Sequence, residues 1–186
     1  MSRNSPITRE HRWYIGEDRT FTFRAVSFEQ VVLAAALADA GVLITCNPLE
    51  DTLASADRIR FGKNLVATLA EAGALAETAL DISAFAGGVA AGVTGYKVQN
   101  LTGFTLEWVL RERPGGAVAL ITKLSSDVTQ LEITDAANGI CVVKLLDTDT
   151  EALAPGTYSY ALRRTNAGFE TVLAAGDAVL QQPATR

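Results

Sequence analysis

The stretch Leu131–Gln182 reads LEITDAANGICVVKLLDTDTEALAPGTYSYALRRTNAGFETVLAAGDAVLQQ, and it decides the fold class. Apolar and polar residues alternate from Leu131 to Thr134, which is the period-two pattern of a half-buried strand. Asn138-Gly139 favours a tight hairpin turn, because both residues tolerate positive φ. The β-branched run that follows, Ile140–Val143, favours an extended return strand. The sequence therefore predicts an antiparallel hairpin here.

A second hairpin is predicted further along the same stretch. Tyr158, Tyr160 and Leu162 share one face of a strand, and Asn166–Gly168 forms the turn that returns the chain. Gly176-Asp177 is expected to interrupt the returning segment and to leave a last edge strand after it. Together the two hairpins predict an antiparallel β unit.

Length and composition restrict the class of protein. The chain has 186 residues, of which 48% are hydrophobic and 20% charged, so it can bury one large core or two small ones. A net charge of −5 argues against a nucleic-acid partner, which would require a clustered basic face. The most apolar windows are too short to span a bilayer, and the opening residues lack the pattern of a signal peptide. We expect no nucleic-acid or membrane partner.

The first hundred residues contain three segments of different composition and periodicity. Residues 1–12 are polar and predict a mobile arm unless a partner chain holds them. Ordered structure is predicted to begin at Trp13, with strands over Arg19–Val26 and Leu101–Arg111. The core of this β unit is predicted to contain Phe21, Phe23, Leu106, Trp108, Ile133, Val143, Tyr160 and Leu162.

Residues 28–99 are rich in alanine and read as a separate module. Two segments, Glu29–Ala40 and Val66–Leu80, carry apolar residues at helical spacing, and Gly41 is a good C-cap for the first. Short apolar strands lie between them. The predicted structure is a small β-rich, barrel-like module that contains short helical turns and has its own core, formed by Val42, Ile44, Ile59, Phe61, Leu69, Leu80 and Ile82.

Residues that could carry chemistry are few. The only histidine, His11, lies in the polar arm, so no histidine-based triad or multi-histidine metal site can form. Asp147, Asp149 and Glu151 could bind a cation, but acids at a helix start more commonly cap it and favour its dipole. Cys46 and Cys141 are predicted to be buried, reduced thiols. The sequence predicts no catalytic, cofactor-binding or metal residues, no cofactor and no enzymatic activity.

Two groups of segments resemble a known family. The first group is Arg19-Thr20-Phe21-Thr22-Phe23 and Leu101-Thr102-Gly103-Phe104-Thr105-Leu106-Glu107-Trp108. The second is Thr134-Asp135-Ala136-Ala137-Asn138-Gly139 and Leu153-Ala154-Pro155-Gly156-Thr157-Tyr158. Both resemble immunoglobulin-like domains of the phage baseplate upper protein type. The resemblance covers residues 13–27 and 100–182, and residues 28–99 interrupt it where relatives have a short loop. The interrupting segment looks like small β modules of phage virion proteins.

The resemblance implies a mostly β fold in which an immunoglobulin-like β-sandwich, residues 13–27 plus 100–182, carries an inserted module, residues 28–99. It further implies a non-enzymatic structural protein of a tailed-phage virion, assembled in the host cytoplasm. An adaptor or fibre-anchoring role at the tail, baseplate or neck is favoured. Its expected partners are other virion proteins and copies of itself, with the arm on a neighbouring subunit.

Two alternatives to that role stay open from the sequence. One is decoration of the capsid surface. The other is a carbohydrate-binding module on the tail, in which exposed aromatic rings would stack on sugar. The candidate rings are those of Trp13, Tyr14, Tyr96 and Trp108, although Trp108 fits the core better.

Overall fold

The computed structural model describes residues 7–8, 11–38, 40–49, 52–61, 65–74, 76–83 and 87–183. Within them the fold is mostly β, with several sheets and a single helix of four residues. The chain divides into two compact units. Unit 1 comprises Met1–Ala25 and Asn100–Arg186, and unit 2 comprises Val26–Gln99. The sequence placed the corresponding boundaries after residues 27 and 99.

The elements are numbered in chain order. Unit 1 begins with β1 (Ile7–Thr8), β2 (His11–Tyr14) and β3 (Arg19–Arg24). Unit 2 follows with β4 (Val26–Val32), β5 (Leu43–Thr45), β6 (Arg58–Phe61), β7 (Leu65–Thr68), β8 (Ala79–Asp81) and β9 (Thr94–Val98). Unit 1 then continues with β10 (Leu106–Arg111), β11 (Ile121–Leu124), β12 (Leu131–Asp135), β13 (Ile140–Leu145), α1 (Asp147–Thr150), β14 (Gly156–Arg164) and β15 (Thr171–Gln181).

Unit 1 contains two sheets that share one apolar core. The larger sheet has the order β1-β15-β14-β10-β11, with β2 also pairing with β15, and the smaller has the order β12-β13-β3. The core draws side chains from both sheets. Six of the eight residues predicted for this core are buried, and Phe21 and Ile133 are partly buried against it. The alternation in the sequence therefore identified the inward faces of these strands correctly.

The predicted mobile arm is wrong where the structure describes it. Ile7–Thr8 pair in parallel with Ala174–Ala175, and a strand begins at His11 instead of Trp13, pairing in parallel with β15 from Ala178 onward. Backbone groups make these ladders, so a segment without apolar periodicity can still join a sheet. Residues 1–6 and 9–10 lie outside the described residues.

The predicted break at Gly176-Asp177 is also wrong, because β15 runs through it as one strand of eleven residues. Gly176 pairs with Tyr160 across the ladder. A glycine opposite a large aromatic ring leaves room for that ring without ending the strand. The strand is not at an edge either, because β14 lies on one side of it and β1 and β2 on the other.

Unit 2 contains a four-stranded sheet, β4-β9-β6-β7, and a two-stranded sheet, β5-β8. Six of the seven residues predicted for its core are buried. The exception is Val42, which is 58% exposed. It lies between the turn at Ala40-Gly41 and the first residue of β5, so it does not share the in-and-out alternation of that strand.

The two helices predicted within unit 2 are absent from the described residues. Strand β4 occupies the start of the first segment, and Leu37 exchanges two backbone hydrogen bonds with Val89, both of 2.8 Å. In the second segment Gly73 exchanges two hydrogen bonds of 2.9 Å with Leu53. Alanine's helix propensity amounts to fractions of a kcal/mol per residue, and these tertiary ladders outweigh it.

Candidate functional site

A groove of about 790 Å³ lies on unit 1, over strands β14 and β15. Alternation along β14 sends Tyr160 and Leu162 into the core and leaves Ser159 and Ala161 to line the groove. Ala161 pairs with Ala175 of β15. Because these neighbouring side chains are small, the space above them stays open. The volume is in the range of sites that bind small molecules.

One wall of the groove is the loop that joins β10 to β11, which contributes Pro114 and Gly115. Gly115 has φ +71°, a conformation that side-chain-bearing residues rarely adopt. The turn is held by a 3.1 Å hydrogen bond from the Gly116 N–H to the Arg113 carbonyl. The Arg111 guanidinium also donates to the Gly116 carbonyl. The loop is therefore a fixed wall.

The charged groups beside the groove include a pair formed across two strands. Arg163 of β14 lies opposite Glu107 of β10, and its guanidinium donates to one oxygen of the Glu107 carboxylate. The Arg163 side chain is 44% exposed, so water screens the pair and its contribution to stability is small. The guanidinium remains accessible from the groove, where Glu170 supplies a carboxylate.

An arginine between two phenylalanines borders the same groove. The Arg164 guanidinium carbon lies 3.9 Å from the Phe104 ring centroid and 4.8 Å from that of Phe169. Its Nε donates to Asn166 Oδ1 at 3.0 Å. The Phe169 ring is nevertheless 64% exposed. No local sequence pattern signals this exposure, because it depends on which residues from elsewhere in the chain cover the ring.

The four aromatic residues predicted as sugar-stacking candidates separate in the structure. Trp13 and Trp108 are 2% and 1% exposed, so neither ring can meet a ligand at the surface. The Trp108 ring stacks on Tyr160, with centroids 6.2 Å apart. Tyr14 is 45% exposed, and Tyr96 is half-buried in unit 2. The groove collects none of them, and the exposed Phe169 ring lies beside its lining residue Arg164.

Of the acidic residues considered for cation binding, Asp147 and Asp149 lie in the first turn of α1 and Glu151 is its C-cap. Asp149 Oδ2 accepts from the Leu146 N–H at 2.7 Å and pairs with Lys123 Nζ at 2.6 Å. The residue at the N-cap is thus Leu146, and neither Thr148 nor Asp149 occupies that position. The Lys123 side chain is 7% exposed, so Asp149 neutralises a nearly buried ammonium group. Among the described residues, no group of three or more metal-ligating side chains occurs.

Both cysteines are buried, as predicted. Burial raises the pKa of the Cys141 thiol to about 12. Burial and, secondarily, the charge of Glu77 raise the pKa of Cys46. A protonated, inaccessible thiol is a poor nucleophile and a poor metal ligand. Each unit therefore holds one chemically inert thiol.

The edge of the larger sheet is apolar. In the described part of the chain β11 pairs with β10 alone. Val118, Leu124 and Val128, which lie before, at the end of and after β11, are 72%, 40% and 62% exposed. We call these three residues the β11 edge patch. An edge strand flanked by apolar side chains is suited to pairing with another chain.

Comparison with known proteins gave no matching family model, no matching curated protein and no matching solved structure. No helix within the described residues is both long and apolar enough to cross a membrane.

Proposed function

We propose that this protein is a non-enzymatic structural subunit of a tailed-phage particle, acting as an adaptor or fibre anchor at the tail, baseplate or neck. The observation that carries the proposal is the β11 edge patch. Val118, Leu124 and Val128 would be a liability on an isolated chain but are suited to a subunit covered by its neighbours.

The proposal includes unit 1 as an immunoglobulin-like β-sandwich. Two sheets around one core, antiparallel except where β1 and β2 join β15, support it, as does Trp108, which is buried in the middle of β10. At the start of β14 the Tyr158 hydroxyl donates to the Ala154 carbonyl, four residues earlier, at 2.7 Å. A tyrosine that bonds back to the upstream backbone is a recurrent corner of that fold. Unit 2 is then the inserted module.

The partners proposed from the sequence were virion proteins and copies of this chain, contacted through the N-terminal arm. Ile7–Thr8 and His11–Tyr14 are taken up by β15 of their own chain. We therefore place the proposed contact at the β11 edge patch.

Particles provide the test. An antibody raised against the purified chain should label particles produced by the strain that carries the gene, and electron microscopy should place the label at the tail, baseplate or neck. Label on the capsid would favour the decoration role instead. Particles that carry no label would refute both.

Variants test the contact itself. Val118→Asp combined with Leu124→Asp should prevent incorporation into particles, because both charges would have to be desolvated in the interface. Thr102→Asp combined with Thr157→Asp is the matched control for the two added charges, since both are exposed polar residues of unit 1 outside β11. Normal incorporation of the double variant would exclude the β11 edge patch as the contact.

A carbohydrate-binding role on the tail is the second candidate, and the groove favours it. Arg163 and Glu170 offer donors and acceptors for sugar hydroxyls, and the exposed Phe169 ring offers an apolar face. The isolated protein should then bind a defined set of glycans on an array, and Phe169→Ala should reduce that binding at least tenfold. Tyr14→Ala is the control, because Tyr14 is also an exposed aromatic residue but lies on β2, whose partner residues on β15 do not line the groove. An array without signal would reject this role.

A further inference from the structure

Unit 2 has a repeat in its backbone pairing. Leu33 pairs with Cys46, and Leu69 pairs with Ile82, so both residues of the second pair lie 36 positions after their counterparts in the first. The Leu33 N–H donates to the Val93 carbonyl at 3.0 Å, and the Leu69 N–H donates to the Asp57 carbonyl at 2.8 Å. The second acceptor lies 36 positions before the first. From the first of these hydrogen bonds to the second, the donor therefore moves 36 positions forward and the acceptor 36 positions back.

Such reciprocity is the property of two equivalent segments related by a two-fold axis. Residues 26–61 form the first segment, which we call copy 1, and residues 62–97 form copy 2. The Cys46 N–H donates to the Thr78 carbonyl and the Ile82 N–H to the Val42 carbonyl, both at 2.9 Å. In the β5-β8 ladder Leu43 pairs with Asp81 and Thr45 with Ala79, so the axis passes through this ladder at Ile44 and Leu80.

The strand ladders join one copy to the other. Among the described strands, β4, β5 and β6 of copy 1 pair with β9, β8 and β7 of copy 2, and β6 also pairs with β9. No described ladder joins two strands of the same copy. Each copy therefore obtains its ladder partners from its equivalent, while the isolated pairs of Leu33 with Cys46 and Leu69 with Ile82 lie within one copy. Ladders shared in this way are the arrangement of an intertwined dimer.

The sequence also carries the repeat, with Leu33 and Leu69 36 positions apart, and a further occurrence 16 positions after Leu33 at Leu49. Leu33, Leu49 and Leu69 each begin a segment in which Ala-x-Ala follows five positions later, as Ala38-x-Ala40, Ala54-x-Ala56 and Ala74-x-Ala76. The last alanine of each has positive φ, between 58° and 67°, and the fourth equivalent position, Gly92, has φ +78°. A non-glycine residue in this region costs about 1–2 kcal/mol, so its recurrence at equivalent sites reflects a shared backbone.

At equivalent positions the side chains of the two copies differ in size, and the differences are complementary. Val31 of copy 1 pairs with Gly95, whereas the equivalent pair is Ala67 with Ile59. A Cβ on Gly95 would come within 2.6 Å of Ile59 and closer still to Phe61. A large side chain of one pair thus occupies the space left by a small residue of the other, which makes the copies specific partners.

We infer that unit 2 is a tandem duplication, in which the surface that each copy presents is a binding surface for its equivalent copy. The two copies are then interchangeable in chain order. This inference does not depend on the proposed function.

The test is a full-length chain in which residues 29–61 and 65–97 exchange places around residues 62–64. Every residue is retained, and large side chains still face small ones. A two-fold arrangement predicts that this chain folds, because each connection is replaced by its equivalent. The readout for unit 2 is alkylation of Cys46, which is 2% exposed, and mass spectrometry locates the label. We expect a labelling rate within about tenfold of the wild type.

The control exchanges residues 29–45 and 46–61 within copy 1, which keeps the composition but alters the strand order. It should label at least a hundredfold faster than the wild type. Fluorescence of Trp13 and Trp108, the two tryptophans of the chain, reports unit 1 in every variant. Labelling of the order-exchanged chain as fast as the control, with or without loss of the tryptophan signal, would overturn the inference.

Discussion

Replacing Val26–Gln99 by a linker of five Gly, Ser and Asn residues should leave unit 1 folded. The Ala25 N–H donates to the Gly139 carbonyl at 2.8 Å, and the Leu101 N–H donates to the Ala136 carbonyl at 2.9 Å. Gly139 and Ala136 are themselves joined across one turn by a 3.1 Å hydrogen bond. The two ends of unit 2 are therefore attached to the same hairpin turn, and a short linker can join them.

The expected change in the unfolding free energy of unit 1 follows from the entropy of loop closure and from which residues form its core. Shortening the connection from the length of unit 2 to five residues halves its length about four times. Each halving lowers the free-energy cost of loop closure by roughly 0.6 kcal/mol, so the total change is about 2 kcal/mol. The core of unit 1 contains no residue of Val26–Gln99 among those described. Removing unit 2 therefore opens no cavity there, and we expect the unfolding free energy of unit 1 to change by no more than about 2 kcal/mol.

Urea denaturation followed by tryptophan fluorescence measures this directly, because Trp13 and Trp108 both belong to the core of unit 1. The shortened chain should show one cooperative transition. Its urea midpoint should differ from that of unit 1 in the full-length chain by no more than about 2 kcal/mol divided by the m-value. A chain that is insoluble, or that loses tryptophan signal without a cooperative transition, would refute the description of unit 1 as an independently folding unit.

Four further predictions concern single sites. Trp108→Ala should destabilise unit 1 by about 3–5 kcal/mol in the same urea assay, because it empties a large site that is 1% exposed; a loss below about 1 kcal/mol would contradict its burial. Asp149→Ala should cost about 3 kcal/mol by leaving the Lys123 ammonium buried and unpaired, whereas Glu151→Ala, at an exposed site, should change stability by less than about 0.5 kcal/mol. Equal effects of those two variants would exclude a structural role for the ion pair. Ala56→Gly should stabilise unit 2 by roughly 0.5–1 kcal/mol, because φ at Ala56 is +67°, and Ala54→Gly should destabilise it by a similar amount; hydrogen exchange measures both. Cys141 should resist alkylation in the folded protein, and unit 1 should lose stability as pH rises from about 9 toward 12, because the unfolded thiol ionises at the lower pH; Cys141→Ala should remove that part of the pH dependence.

The strands of unit 1 could be predicted from the sequence because the information is local. Alternation along Leu131–Thr134 and along Tyr158–Leu162 reports which side chains face the core, and that period is fixed by strand geometry. The turn at Asn138-Gly139 was placed correctly, although only Gly139 has positive φ. Apart from Val42, every residue predicted for either core is buried in it or packed against it.

Unit 2 could be predicted only in part. Its β character, and six of the fourteen described buried residues of its core, followed from short apolar runs. The helical interpretation of Glu29–Ala40 rested on Val32, Ala35 and Ala36 and passed over the spacing of four residues between Leu33 and Leu37. The same spacing recurs from Leu49 to Leu53, and attention to that recurrence would have favoured a repeat over a helix.

Tertiary structure decided everything that depends on a partner distant in sequence. Ile7–Thr8 and His11–Tyr14 are strands because the edge of β15 is available to them, and Gly176 continues that strand because it lies opposite Tyr160. Phe169 is exposed, although phenylalanine is a residue type that is usually buried. The sequence determined which faces are apolar, because side-chain hydrophobicity and strand period are properties of the segment itself. Which segments meet was decided by the free energy of long-range pairing, which no single segment contains.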